Sequence, residues 1–196
     1  VEYLNDLKIN SIIGLDTFLL GYPKWINELN KEENPNVKII NFNIGKDKIG
    51  DIKNAKNITH VIHMASIASP SFYRKYPIET VDANVWGLRD LLNFYSENKT
   101  LKGFLFFSSS EIYGDPDVNN IPTQEGYRGF VSCTGPRACY DEAKRFGETL
   151  CCIFRAEHNL PITIVRPFNN YGPGMRIEDK RLPADLAKCI LENKPI

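Results

Sequence analysis

The chain has 196 residues, enough for one well-cored domain and too few for two large ones. Its 24 basic and 24 acidic side chains cancel, so no broad field draws nucleic acid or an anionic membrane, and any phosphate recognition must be local. No apolar run reaches the ~20 residues needed to span a bilayer.

Along the chain, residues 1–7 read as the tail of a helix running into SIIGLD. Short apolar runs at 11–15, 37–42, 59–64, 103–108 and 162–166 predict buried strands. Between them, Val81, Val85, Leu88 and Leu92 recur at helical spacing, as do Ala143, Gly147, Leu150 and Phe154. Residues 183–193 predict a last helix with proline in its first turn. Strands alternating with helices predict an α/β fold with a parallel sheet. Residues 114–137, rich in turn formers, read as one long loop of the kind that is often functional. Five cysteines (Cys133, Cys139, Cys151, Cys152 and Cys189) have no metal-ligand spacing, and an odd number cannot all pair. A reduced, cytoplasmic protein without a metal is expected, with adjacent Cys151 and Cys152 packing on a helix.

The densest chemistry lies in FLFFSSSEIYGDP, starting at Phe104, and GPRACYDEAKRFGETL, starting at Gly135. The first is a strand that ends in Ser108, Ser109, Ser110 and Glu111. The second sets Tyr140 and Lys144 four residues apart, on one face of a helix. A neighbouring ammonium favours the ionised phenol, which would make Tyr140 a general base toward an alcohol. A Tyr–Lys pair at this spacing also describes a half-buried tyrosine beside a solvated lysine, and the flanking residues decide between the two.

Together with VIHMASIASP and RPFNNYGPGM, these stretches resemble the extended short-chain dehydrogenase/reductases, the NAD-dependent epimerase/dehydratase family. Within it the motifs are most similar to those of the UDP-glucuronate decarboxylases. The resemblance implies a Rossmann-like, doubly wound parallel sheet forming a single NAD-binding domain over residues 1–196. The start of a substrate-binding portion is expected at about 167–196. In the family a first strand and a G-x-x-G-x-x-G turn precede the opening helix and hold the dinucleotide pyrophosphate. That strand and turn are missing from the front of this sequence, so the sheet is expected to be incomplete and the chain a fragment of a larger enzyme.

The resemblance also implies roles for individual residues. Asp16, at a strand end, would accept hydrogen bonds from the adenosine ribose of NAD, with Thr17 and Phe18 beside it. Asn43 and Ile44 would lie at the adenine, and Met64, Ala65 and Ser66 would let the cofactor pass close to the sheet edge. Tyr140 would take the proton from a sugar 4-hydroxyl while the 4-hydride passes to NAD. Lys144 would lower the tyrosine pKa and hold the nicotinamide ribose. Ser109 would bond the same hydroxyl, and Pro167 would approach the nicotinamide. Asn169 would contact the nucleotide-sugar, and Asn84 would give a supporting hydrogen bond. Glu111 reads as a further catalytic group or as a carboxylate anchoring its loop. His63 reads as a strand histidine satisfied by its neighbours rather than as an acid or base.

A 4-ketone would turn a C6 carboxylate into a β-keto acid that loses CO2, converting UDP-glucuronate to UDP-xylose. The similar 4,6-dehydratases carry an acidic residue where this chain has Ser110, which disfavours loss of water. The decarboxylases usually have Arg-Met where Gly174 and Met175 stand here, with Arg176 following. A nucleotide-sugar 4-epimerase is the sister reading. A catalytically inert binding or partner subunit is the reading from another class. A homodimer through helices at 81–95 and 139–158 is expected from the resemblance.

Overall fold

A computed structural model describes residues 11–23, 26–29, 36–172, 175, 177 and 181–195. The helix expected at residues 1–7, and Gly174 and Arg176, lie outside the described residues. The chain divides into two compact units, Val1–Lys48 and Ile49–Ile196.

In the first unit, β1 (Ile12–Asp16) pairs in parallel with β2 (Val37–Asn41), and a short helix α1 spans Ile26–Leu29. The register sets Ile12 against Val37 and Asp16 against Asn41. Ile26, Val37 and Phe42 are buried. Asp16 is the last residue of β1 and exposed, as its place at a strand end requires.

The second unit holds β3 (His60–His63), β4 (Gly103–Phe107) and β5 (Ile162–Val165), all parallel, with β4 in the middle. Side chains alternate across a strand, so His63 on β3 and Phe104 and Phe106 on β4 can form the buried face. The strands stop a residue earlier than the apolar runs at their carboxyl ends. Ser108 still donates its N–H to the Val165 carbonyl at 2.8 Å, but the backbone then turns away. The candidate residues Met64–Ser66, Ser109, Glu111, Pro167 and Asn169 therefore lie in turns at the carboxyl edge of the sheet.

Helix α2 (Pro70–Tyr73) is followed by α3 (Pro77–Val81), a π-helical turn (Asp82–Trp86) and α4 (Gly87–Ser96), the last three forming one continuous helical stretch. The predicted stripe holds through it: Val85, Leu88 and Leu92 are buried. Helix α5 (Ala138–His158) buries Ala143, Gly147, Leu150 and Phe154, the predicted face, and Cys151 with them. Its neighbour Cys152 is exposed, so of the two cysteines expected to pack only Cys151 does, because the buried face of α5 ends between them. Asn159, in the left-handed conformation at φ 53°, ends the helix. A Cβ on Gly147 would come within 2.6 Å of Phe106 Cζ and 3.3 Å of Leu88 Cδ2. Glycine there lets α5 close against β4 and α4 at once. Burying each large apolar side chain at this junction contributes about 1.5–3 kcal/mol. Helix α6 (Leu182–Leu191) is the last element.

The long loop is tied down rather than free. Gly114 bridges to Phe130, and Arg145 Nη1 donates to the Ile112 and Gly129 carbonyls at 3.0 and 3.2 Å. Arg166, just past β5, donates to both Glu148 oxygens at 2.8 and 2.7 Å. It also reaches Tyr113 Oη at 3.0 Å and the Glu125 carbonyl at 2.7 Å. A two-pronged arginine–carboxylate bond of this kind fixes direction as well as distance. The loop, the end of β5 and the middle of α5 are thereby held as one piece.

Candidate active site

Three turns at the carboxyl edge of β3, β4 and β5 carry Met64–Ser66, Ser108–Glu111 and Pro167–Asn169. In open α/β sheets this edge is where ligands bind. Ser110 N–H donates to the Pro167 carbonyl at 3.0 Å, joining the second turn to the third. Ser109 caps the short turn Ser110–Tyr113, its Oγ accepting from the Glu111 N–H at 3.2 Å. Ser109 and Tyr140 are both buried.

Tyr140 sits in the first turn of α5, its N–H bonded to the Arg137 carbonyl at 2.9 Å. Its ring stacks on that of Tyr73 from α2, centroids 5.2 Å apart and planes 12° apart, with Ile67 completing the cluster. Burial pushes the Tyr140 phenol above its usual pKa, a hydrogen bond with Ser109 pulls it down, and the Asp141 carboxylate raises it again. Arg181 and Arg137 pull it down further. The main influences on the phenol are thus burial and Ser109. The Lys144 ammonium donates to the Phe107 carbonyl at 2.6 Å and lies 5.8 Å from the Tyr140 ring centroid. Lys144 is 2% exposed, and burial lowers its own pKa to about 7. The lysine is thus behind the tyrosine, as the i, i+4 spacing predicts, with its donor turned to the backbone of β4.

Behind Lys144 lies a group of buried polar atoms. His63 is 2% exposed and packs 5.6 Å from the Phe106 ring. Burial first, then the charge of Lys144, lowers its pKa to about 3, so it is neutral. Backbone groups of His63 itself and of Ala83 act on the ring in the opposite sense, as expected of a strand histidine met by its neighbours, although neither ring nitrogen makes a well-formed hydrogen bond among the described residues. Asn84, in the π-helical turn and fully buried, donates Nδ2 to Ser66 Oγ at 3.0 Å and to the Thr80 carbonyl at 2.8 Å. Its Oδ1 and Ser108 Oγ are buried without a partner among the described residues. π-helical turns are frequent at functional sites, and this one aims an asparagine into the sheet edge.

Glu111 is ion-paired with Arg137, which also donates Nε to Asp141 Oδ2 at 3.3 Å. The pairing favours the anchoring role for Glu111 over a free acid–base group. Asn169 is exposed on the third turn, and Pro167 is half-buried. Met64 is 61% exposed, leaving the sheet edge open beside Ala65 and Ser66.

The adenosine candidates belong to the first unit. Asp16 Oδ1 accepts from the Phe18 N–H at 2.7 Å, and Thr17 Oγ1 from the Leu19 N–H at 3.3 Å. The first carboxylate oxygen therefore holds a turn in which Phe18 adopts φ 53° and its ring packs, tilted by 54°, with its centroid 4.6 Å from that of Tyr22. Asn43 Oδ1 accepts from the Gly45 N–H at 3.0 Å, so its acceptor serves the turn that contains Ile44.

Arg137, Tyr73 and the Arg166–Glu148 pair received no role from the sequence. Arg137 and Asp141 are four residues apart, a spacing at which an ion pair is readable. The Tyr73–Tyr140 stack spans 67 positions and leaves no local signal. Among the described residues no helix is long and apolar enough to cross a membrane, and no cluster of His, Cys, Asp or Glu could hold a metal ion.

A model of the NAD dependent epimerase/dehydratase family matches residues 1–196. UDP-glucuronic acid decarboxylase 5 of Arabidopsis thaliana is 33% identical over 200 residues, covering 100% of this chain and 54% of that protein. UDP-glucuronic acid decarboxylase 1 of Xenopus tropicalis is 35% identical over 139 residues, 71% of this chain and 32% of that protein. The solved structure of UDP-glucuronic acid 4-epimerase from Bacillus cereus, in complex with NAD, superposes with a TM-score of 0.79 at 25% identity. That match covers 99% of this chain and 59% of the epimerase. The chain spans about half the length of the Arabidopsis relatives it matches. With parallel strands, the Tyr140–Lys144 pair behind Ser109, and a family match along its whole length, this chain belongs to the NAD dependent epimerase/dehydratase family and has its Rossmann-like α/β fold.

Proposed function

We propose that this chain forms the core of an NAD-dependent enzyme that modifies a nucleotide-sugar through a transient 4-ketone, with decarboxylation of UDP-glucuronate to UDP-xylose as the reaction. The observation that carries this reading is the arrangement of two buried hydroxyls, Ser109 at the carboxyl edge of β4 and Tyr140 on α5, with Lys144 buried one turn further along the same helix. The matched relatives and the Bacillus cereus epimerase all have UDP-glucuronic acid in their names, which supports an acidic sugar.

The open sheet edge at Met64–Ser66, the unpartnered Asn84 Oδ1 and the buried Lys144 fit the nicotinamide end of NAD. Pro167 would lie beside it. Asp16, Thr17, Phe18, Asn43 and Ile44 are assigned to the adenosine end on the resemblance alone. Bound in its oxidised form, NAD would accept the hydride from C4 and afterwards return it there. The protein's own residues do the rest. Ser109 orients the sugar 4-hydroxyl, and Tyr140 Oη holds the proton that leaves it. A 4-ketone makes C6 the carboxyl of a β-keto acid. The C5–C6 bond breaks, CO2 leaves, and the electron pair enters an enolate whose oxygen faces the same two hydroxyls; a proton taken up at C5 restores the 4-ketone, which the returning hydride would reduce to UDP-xylose. Asn169 would contact the nucleotide-sugar, and Glu111 would hold its turn through Arg137.

The likeness to the 4-epimerase sustains a second reading, since epimerisation needs the same pair of hydroxyls and the same ketone. Incubating the whole protein with UDP-glucuronate and NAD separates the two. Release of CO2 with UDP-xylose is expected. UDP-galacturonate without CO2 would establish the epimerase, and no product with either acidic or neutral UDP-sugars would favour an inert binding subunit.

The same reading includes a homodimer, supported by Trp86, Phe146 and Ile153, which stand half-exposed on the π-helical turn and α5. Sedimentation of the whole protein at twice its chain mass would bear this out, and sedimentation at the chain mass would not. A cytoplasmic location is also part of it, supported by five unpaired cysteines; fractionation of the source cells checks it.

A further inference from the structure

The Arg137 side chain touches both segments carrying the reacting hydroxyls. Its Nη2 donates to Glu111 Oε2, two residues past Ser109, and its Nε to Asp141 Oδ2, next to Tyr140. Its carbonyl accepts the N–H groups of Tyr140 and Asp141 at 2.9 and 3.1 Å, so its backbone is fixed at the start of α5. Exposed pairs contribute little on their own, and the Arg137 side chain is 41% exposed. Asp141 is different: its side chain is 12% exposed and its Oδ1 has no partner among the described residues. One rigid, forked cation joins a largely buried carboxylate on the helix to a carboxylate on the turn. Lysine cannot span two such acceptors in this way.

We propose that Arg137 is a positioning residue: its guanidinium fastens the Ser109–Glu111 turn to the first turn of α5 and so keeps the Ser109 hydroxyl against that of Tyr140. Its kinetic consequence rests on Tyr140 being the base proposed above; the clamp itself does not. The groups facing Tyr140 are Ser109 from the turn, Tyr73 from α2, Asp141, Arg137 and Lys144 from α5, and Arg181 at the start of α6. Of these, Ser109 lowers the phenol most. Releasing the turn removes that bond and leaves Asp141 less compensated, and both changes raise the Tyr140 pKa. Activity that needs the deprotonated phenol then starts at higher pH.

The test is Arg137→Gln in the whole protein, read by amide hydrogen exchange and by the pH dependence of kcat/KM with UDP-glucuronate. Exchange of the Glu111 amide should accelerate at least roughly tenfold, the scale of one lost hydrogen bond to a charged group. The Phe104 and Phe106 amides of β4 should not change. The acid limb of kcat/KM should move to higher pH, and adding Ser109→Ala should move it no further, because the arginine acts through the serine. Unchanged Glu111 exchange, equal acceleration throughout β4, or additive limb shifts would each overturn the proposal. If Arg137→Gln does not fold, Arg137→Lys decides: intermediate Glu111 exchange is expected, and exchange at the wild-type rate overturns it. Absence of turnover in the wild type refutes the function proposed above, and the exchange result still decides the clamp.

Discussion

Tyr140→Phe is expected to lower turnover of the nucleotide-sugar by about 10²–10⁴-fold, the range for loss of a positioned acid–base group. The ring should stay where it is. Its stack on Tyr73 and its contact with Ile67 involve carbon atoms that phenylalanine retains. NAD affinity, measured by titration calorimetry, should change little, because the hydroxyl is one contact among many. Folding stability should hold or rise, since a buried hydroxyl, bonded to Ser109, is replaced by hydrogen. Turnover at the wild-type rate in the variant would sink the role of Tyr140. A large drop in NAD affinity would instead mean that the hydroxyl serves mainly in binding.

Lys144→Met is expected to stabilise the protein at pH 6 by about 2–4 kcal/mol while removing activity. The sign follows from burial. The unfolded lysine holds its proton to about pH 10.4, whereas in the fold burial brings the pKa to about 7. Below pH 7 both states are protonated, and the folded state carries the full cost of a buried ammonium. Between pH 7 and about 10.5 the folded amine is neutral and the unfolded one charged, so the cost shrinks as pH rises. It is gone above the unfolded pKa. Methionine removes the cost but leaves the Phe107 carbonyl without its 2.6 Å donor, which offsets part of the gain. Denaturant unfolding of both proteins from pH 6 to pH 10 should show the advantage of the variant fading. A variant less stable at pH 6, or a gap that does not narrow, would contradict the burial argument. A lysine retained at such a cost is what a catalytic site produces.

Much of this architecture was legible in the sequence, for a physical reason. All five predicted strands are present, because short apolar runs stand out beside charged helix surfaces. Burial was less legible, since β1 has no buried residue and Ile62 on β3 is exposed, whereas Phe104 and Phe106 of the central β4 are buried. The buried stripe of α5 from Ala143 to Phe154 follows from 3.6 residues per turn. Less legible was anything decided by residues distant in the chain. The spacing of Tyr140 and Lys144 predicts that they share a face, but not that the amine turns to a carbonyl 37 positions away. The spacing sets Lys144 beside Tyr140, but it gives no sign that burial and Ser109 are the largest influences on the phenol. Glu111 was read as catalytic or anchoring, and only the folded chain brings Arg137 to it. The π-helical turn escaped as well, since one extra residue in a turn leaves the apolar stripe of Val85, Leu88 and Leu92 almost unchanged. Asp16 and Asn43 were assigned to a ligand, yet one oxygen of each holds its own turn. Short polar side chains commonly do this, and the sequence alone does not separate the two uses.

The central claim is chemistry through a ketone at C4 of the sugar, with Ser109 and Tyr140 on its oxygen. Its most direct test is to supply the whole protein and NAD with UDP-glucuronate deuterated at C4, in ordinary water, and to locate the label in the product by NMR. Oxidation and return at one site predict a product that keeps its deuterium at C4. A product that has lost that deuterium to solvent, or the absence of any product, would contradict the account.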